Sequence, residues 1–303
     1  MTFTPFEALP SDLIDELRSA GLDPRAIYEH ILIALEEDLP GGAADITTVS
    51  TIPASTRARG DFGAREPGVV AGLGIAALTF HVVMGDDVLI ENRLADGTHV
   101  APGDIIMTVS GPARGLLIAE RPALNFASHL CGIATATSHW VAALEGTSAK
   151  VLDTRKTLPG WRALQKYAVR CGGGTNHRFS LNDMAMIKDN HIVAAGGIVE
   201  AFEAIRAADP NVPIEVEVGD LEELKLILDA GCQHILIDNM TTETMAEAVA
   251  ITGGRAVLEA SGGLTIERAR EVAETGVDYI SSGALTHSVT VFDIGLDLHT
   301  EEA

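Results

Sequence analysis

Cysteine is scarce: Cys131, Cys171 and Cys232 are the three in 303 residues, widely spaced and without a CxxC pair. This excludes a disulfide framework and suits a reducing compartment, so a cytoplasmic protein is expected. Basic residues are also few. Lys and Arg total 21 against 43 Asp and Glu, a formal charge of -22. Such a surface repels nucleic acid and anionic membranes, so an anionic substrate must meet a local concentration of cations. The N-terminal MTFTPFEALPSDLIDELRSA has no basic region leading into an apolar run, and no secretion signal is expected. No two histidines stand at zinc-ligand spacing, and no serine lies in a GxSxG turn. Residues 68–85 contain no Asp, Glu, Lys or Arg and are long enough for a membrane span. Their four glycines and His81, with Glu66, Asp86 and Asp87 alongside, argue otherwise. They read as a strand over VVAG and a buried helix from about Gly74, with Ile75, Leu78, Val82 and Val83 on one face.

What is present falls into two regimes. Apolar residues make up 47% of the chain, enough to bury a substantial core. Up to about residue 115, a helix opened by Asp23 and Pro24 carries Ile27, Ile31, Leu32 and Leu35 at helical spacing. Short alternating segments follow (RARGDFGA, DDVLIENRL, DIIMTVSG), separated by turn signals. This pattern predicts an antiparallel sheet with helices on one side. The second regime begins near Arg121 with a long helix, ERPALNFASHLCGIATATSHWVAAL. From Lys150 strands and helices alternate, and the last four strand ends fall about 21 residues apart. That repeat predicts parallel strands joined by crossover helices, and it fits a barrel or a doubly wound sheet equally well.

In either architecture the functional loops lie at the carboxyl ends of the strands. Those ends carry Thr154-Arg155-Lys156, Lys188, Glu217, Asp238, Ser261-Gly262-Gly263 and Ser282-Gly283. Between Lys150 and Lys188 eight cations face two acids, Asp153 and Asp183, a local balance of +6 in an acidic chain. Arg162, Lys166 and Arg170 read as a solvated helix face. Arg155, Lys156 and Lys188 end apolar strands, where charge is costly unless paired, and they read as ligand-binding. His177-Arg178, after the Gly172-Gly173-Gly174 turn, joins them. Glu217 and Asp238 offer hard oxygens from two neighbouring strands, suited to a Mg²⁺ that keeps waters and is shared with substrate phosphates. Simple pairing with a site cation is the alternative. The two small-residue loops suit a phosphomonoester bound by backbone amides. Trp140, Trp161, the cysteines and the methionines read as packing.

At this point a resemblance enters. The run DTRKTLPGWRALQKYAVRCGGGTNHRFSLNDMAMIKDNHI is similar to the signature of the quinolinate phosphoribosyltransferases, also called nicotinate-nucleotide pyrophosphorylases (carboxylating). ERPALN, GIATAT, EVEV, LIDN, EASGG and ISSGALTHS resemble further blocks of that family in order, as do EDLPGGAADITT and EPGVVAG. The resemblance implies an N-terminal α/β sandwich domain, residues 1–120, to which residues 290–303 return, and an incomplete, open α/β barrel over residues 121–289. It implies a pentosyltransferase of NAD biosynthesis that converts quinolinate and phosphoribosyl pyrophosphate (PRPP) to nicotinate mononucleotide, pyrophosphate and CO2. It further implies Mg²⁺ as cofactor and a homodimer, in some members assembled into hexamers. Carried over residue by residue, Arg121 reaches the neighbouring subunit's site, while Arg155, His177, Arg178 and Lys188 hold quinolinate. Lys156, Glu217 and Asp238 surround ribose, pyrophosphate and metal. Ser261, Gly262, Gly263, Gly283 and His287 form the 5′-phosphate site. Pro122, Cys131, Trp161 and Cys171 depart from the Thr, Ser, Leu and Thr expected there. The alternatives are a nicotinate phosphoribosyltransferase-like enzyme, against which a cluster built for two carboxylates argues, and a non-catalytic phosphometabolite-binding barrel.

Overall fold

The computed structural model describes residues 2–300. Two units form, one from residues up to Ala136, Ala163–Gly172 and Val289 onward, the other from Thr137–Arg162 and Gly173–Ser288. In the first, Asp23 caps the helix Pro24–Asp38 by accepting from the Arg25 amide at 2.9 Å, and Ile27, Ile31 and Leu35 are buried as their spacing predicts. The strands here are β1 (Arg57–Ala64), β2 (Gly68–Val69), β3 (Leu89–Glu91), β4 (His99–Val100) and β5 (Ile105–Pro112). Alternation is visible in β1, whose Ala58, Gly60, Phe62 and Ala64 are buried while Arg57 and Arg59 are exposed. The helix Leu73–Met84 is buried from Leu73 to Phe80, as its lack of charge requires. Among the described residues no helix is long and apolar enough to cross a membrane.

The helix expected to begin near Arg121 starts earlier and runs Ala113–Ala143, with Pro122 inside it. An interior proline removes one helical hydrogen bond. The buried face on either side of it, Leu116, Ala119, Ala123, Leu124 and Ala127, carries the helix through. A division at residue 120 would fall within this helix; along the chain, the first unit's opening segment ends at Ala136 and the second unit begins at Thr137. The helix Arg162–Cys171 groups with the first unit, where Tyr167 donates to Asp96 at 2.6 Å and Gln165 lies 2.8 Å from His129. Lys166 on this helix is fully buried, which corrects its reading as part of a solvated face.

The second unit carries β6 (Lys150–Leu152), β7 (Ala185–Ile187), β8 (Ile214–Val218), β9 (His234–Asp238), β10 (Val257–Ser261) and β11 (Tyr279–Ser281). All pair in parallel, in the order β6-β11-β10-β9-β8-β7. The order is sequential from β7 to β11, and the first strand adjoins the last. That is barrel order, without the reversal of a doubly wound sheet. Between β6 and β7 the ring stays open, and a single bridge from Leu152 to Thr175 stands there. The choice that periodicity left undecided thus falls to an open α/β barrel. Two short helices, Asp189–Ala195 and Ala284–His287, were not foreseen. Finally β12 (Ile294–Thr300) pairs antiparallel with β1, completing a four-stranded sheet of order β12-β1-β5-β3 in the first unit.

Candidate active site

The carboxyl ends of the six parallel strands surround a pocket of about 580 Å³. Arg155, Lys156, His177, Arg178, Lys188, Glu217, Asp238, Ser261, Gly262 and Gly263, widely separated in sequence, all line it. Gly283 and His287 are not among the lining residues but adjoin Lys156. A Cβ on Gly283 would stand 2.7 Å from Lys156 Cδ and 2.9 Å from His287 Nε2, so both side chains pass close over this glycine. Arg121 belongs to the first unit, is exposed, and has Glu120 as its ion-pair partner at 4.0 Å.

The cations differ in how they are held. Among the described residues neither Arg155 nor Lys156 forms an ion pair, although both stand at the end of an apolar strand. The Lys156 backbone is fixed instead, its N–H donating to Thr154 Oγ1 at 3.0 Å and its carbonyl accepting from Thr286 Oγ1 at 2.7 Å. Arg178 donates to the Met184 carbonyl at 2.8 Å. Burial, and then the charge of Arg155, push its guanidinium pKa down. A dianion between these two arginines would relieve both effects. Lys188 is bound to the Glu217 carboxylate, so the pairing considered for Glu217 is made.

Behind this wall lies a cluster that sequence reading missed. His177 Nε2 is 2.9 Å from Glu215 Oε2 and 3.3 Å from Glu259 Oε2, with all three side chains nearly buried. The His177 amide donates to Asp153 at 2.9 Å, and Asn176 donates to the same carboxylate at 2.6 Å. Burial alone would lower the imidazole pKa, but the bonds to Glu215 and Glu259 outweigh it and hold it up at about 9. Burial likewise raises the Glu259 carboxyl. The Arg178 amide lies 2.7 Å from His177 Nδ1. The trio therefore holds one more proton at neutral pH than the separated groups would. A signal existed: in IEVEV the glutamates are two apart and so share a face, and Glu259 interrupts the apolar strand VLEAS.

The phosphate-type loops are shaped by close approach. Gly262 has φ +90, and a Cβ there would lie 2.4 Å from Asn239 Oδ1 and 2.7 Å from the Asn239 amide nitrogen. Ser281 Oγ donates to Ser261 Oγ at 3.0 Å, joining the ends of β10 and β11. After Gly263 the chain enters the helix Ile266–Glu274, whose first-turn amides lie at its N-terminus.

Two carboxylate arrangements bear on a metal. Glu217 and Asp238, at the ends of the paired strands β8 and β9, both face the pocket. Two hard oxygens with open space before them fit a Mg²⁺ that takes its remaining ligands from water and substrate. Among the described residues, His177, Glu215 and Glu259 are the three acidic or histidine groups whose ligand atoms lie within 4.8 Å of one another. Their 2.9 and 3.3 Å separations are hydrogen-bond lengths, so a shared proton accounts for them.

Comparison with known proteins agrees with this geometry. Residues 45–131 match the N-terminal domain, and residues 133–297 the C-terminal domain, of the family described as quinolinate phosphoribosyl transferase. The chain is 51% identical over 277 residues to the nicotinate-nucleotide pyrophosphorylase [carboxylating] of Mycobacterium leprae, covering 90% of this chain and 97% of that one. It is 41% identical to the chloroplastic enzyme of that name from Oryza sativa subsp. japonica, covering 90% and 78%. NadC from Streptococcus pyogenes superposes with a TM-score of 0.88 at 38% identity, over 93% of this chain and 99% of that one. The nicotinate-nucleotide pyrophosphorylase of Francisella tularensis gives 0.87 at 36%, over 91% and 96%. With both domains matched in order and half the residues identical to a full-length relative, the chain belongs to the quinolinate phosphoribosyltransferase family.

Proposed function

We propose that the chain transfers the phosphoribosyl group of PRPP to the nitrogen of quinolinate, releasing pyrophosphate and CO2 and forming nicotinate mononucleotide for NAD biosynthesis. The observation that carries this reading is the convergence of Arg155, Lys156, Arg178 and Lys188 on one pocket that also holds two carboxylates and a Ser-Gly-Gly loop. A pyridine dicarboxylate, a sugar phosphate and a pyrophosphate together need that many positive and amide groups. Arg155, Arg178 and Lys188 hold the two carboxylates, with His177 alongside them, and this fixes the ring nitrogen opposite the anomeric carbon. Lys156 faces the pyrophosphate side, and Ser261, Gly262 and Gly263, with Gly283 and His287 adjoining, cradle the 5′-phosphate. As the glycosidic bond to pyrophosphate breaks, positive charge builds on the ribose, and the Glu217 and Asp238 carboxylates stabilise it. The same two residues would hold Mg²⁺, which when bound supplies positive charge against the leaving pyrophosphate. The ring nitrogen then bears the new bond and a formal positive charge, which lets the 2-carboxylate depart as CO2.

We read the enzyme as a cytoplasmic homodimer, a state that dimers in the family also build into hexamers, with Arg121 completing the neighbouring subunit's quinolinate site. Its exposure, and the absence among the described residues of a carboxylate partner beyond the adjacent Glu120, support that role. The deciding experiment is incubation with quinolinate, PRPP and MgCl2. Nicotinate mononucleotide, pyrophosphate and CO2 in equal amounts are expected. Equal turnover of nicotinate without ATP would overturn the reading.

A further inference from the structure

The two arginines assigned to the quinolinate carboxylates come from different segments. Arg155 follows β6, whereas Arg178 lies between the helix Arg162–Cys171 and β7. Quinolinate carries its carboxylates on neighbouring ring carbons, so the spacing of the two guanidiniums decides whether both can be met at once. That spacing has to be set by groups that span both segments.

Two side chains that do so are Asp153 and Arg162. Asp153, fully buried, accepts from the His177 amide at 2.9 Å and from Asn176 at 2.6 Å, and so joins the segments just before each arginine. Arg162 joins them just after. Its Nη1 donates to the Phe179 carbonyl at 2.8 Å, its Nε to Thr157 Oγ1 at 3.1 Å and its Nη2 to the Arg155 carbonyl at 3.4 Å. The Thr157 amide donates to the same Arg155 carbonyl at 2.9 Å. Beyond Phe179 the second segment folds on itself, with Asp183 accepting from the Phe179 and Ser180 amides at 2.7 and 3.1 Å. Arg162 is half-buried, and all of these residues belong to the second unit. The reading of Arg162 as part of a solvated helix face is thereby corrected.

Resting on the function proposed above, we infer that Arg162 is a positioning residue: it sets the spacing of Arg155 and Arg178 and so favours a ligand with two adjacent carboxylates over one with a single carboxylate. Its placement does not serve local stability. Among the described residues no carboxylate pairs with it, and it opens a helix, where the macrodipole disfavours a cation. It also brings a third positive group to two that already repel, since the charge of Arg155 disfavours that of Arg178. Such a charge is unfavourable by itself and favourable beside a dianion. A guanidinium can donate in several directions within one plane, which lets a single side chain hold both segments in register. Lys156, although next to Arg155, is anchored from elsewhere, its carbonyl accepting from Thr286 Oγ1 at 2.7 Å. The pyrophosphate side is therefore fixed independently of Arg162.

The test compares a ligand bearing two carboxylates with one bearing a single carboxylate. Quinolinate and nicotinate mononucleotide, which keeps one carboxylate and is held also by its phosphate, are titrated by calorimetry into wild type, Arg162→Met and Arg162→Lys. Both variants should raise the quinolinate Kd about tenfold, as when long side chains must be ordered on binding, while nicotinate mononucleotide weakens less than about threefold and the KM for PRPP moves less than about twofold. Lysine keeps the charge but replaces the fork by a single point, so Arg162→Lys should behave as Arg162→Met does. Thr157→Val removes one of the three acceptors without touching a cation. It should raise the quinolinate Kd about two- to threefold, and it carries the comparison if the Arg162 variants do not fold. Equal weakening of both ligands would mean that Arg162 serves only the fold. Wild-type quinolinate affinity in Arg162→Lys would mean that only its charge counts. Either result, or an unchanged quinolinate Kd in Thr157→Val where that variant alone folds, would overturn the inference. Wild type forming no nicotinate mononucleotide from quinolinate and PRPP would instead overturn the function on which it rests.

Discussion

The close approach of Gly262 to Asn239 sets a quantitative expectation for Gly262→Ala. The residue has φ +90, a region in which an L side chain costs about 1–2 kcal/mol. Its new Cβ would stand 2.4 Å from Asn239 Oδ1, and that amide could swing away. It would also stand 2.7 Å from the Asn239 backbone nitrogen, which cannot move without displacing the loop that follows Asp238. Overpacking of this kind costs a further 1–3 kcal/mol or so, giving about 2–5 kcal/mol in all. Gly254→Ala is the control: φ is +76 there, but nothing lies within 4 Å, so the backbone cost of about 1–2 kcal/mol stands alone. Urea denaturation should place Gly262→Ala below Gly254→Ala by about 1–3 kcal/mol. Because the strain is relieved at the phosphate loop and Asp238, the KM for PRPP should rise about tenfold while quinolinate affinity holds. Equal destabilisation by the two variants, or a loss confined to quinolinate, would refute the argument.

Four other outcomes are expected. Arg178→Ala should raise the quinolinate dissociation constant at least about tenfold in calorimetry and spare PRPP, since losing one partner of a desolvated charge pair costs about 2–5 kcal/mol; unchanged affinity would make Arg178 structural. The imidazole of His177 has a folded pKa of about 9, above its ordinary 6.5, so the folded state binds the extra proton across that window. Stability should therefore fall as pH rises from 6.5 to about 9, by at most about 1.4 kcal/mol per unit, more steeply than in His177→Asn; parallel urea profiles for the two would refute this. Chelating Mg²⁺ should abolish turnover and leave circular dichroism unchanged, whereas loss of helical signal would indicate a structural metal. Arg121→Ala mixed with Lys188→Ala should regain activity that each lacks alone, because a heterodimer then contains one intact site; exchanged but inactive mixtures would rule out a shared site.

Much of this was legible in the sequence because it is local. Asp23 before Pro24, the alternation in RARGDFGA and the strand–helix repeat after Lys150 are each set by neighbours a few residues away. The strand ends could be named before any pairing was known, since parallel strands present their functional groups there in either architecture. Residues such as His287 and Arg121 were reached through resemblance and had no local signal at all. What stayed hidden depends on partners distant along the chain. The open barrel is decided by Lys150–Leu152 lying against Tyr279–Ser281, a contact no period reveals. The long helix is expected from sequence to begin near Arg121, but the buried residues on both sides of Pro122 carry it back to Ala113. The same limit explains the missed glutamates. A carboxylate in mid-strand reads as an edge or a solvent face until the fold brings a second carboxylate and an imidazole to it from other strands. Glu215 and Glu259 are 44 positions apart, and neither has a chemical meaning without the other and His177. Buried charge is tolerated in a barrel interior only where it is paired, so an acid breaking an apolar parallel strand announces an unseen partner. In this chain that partner is the His177 ring, which both glutamates share.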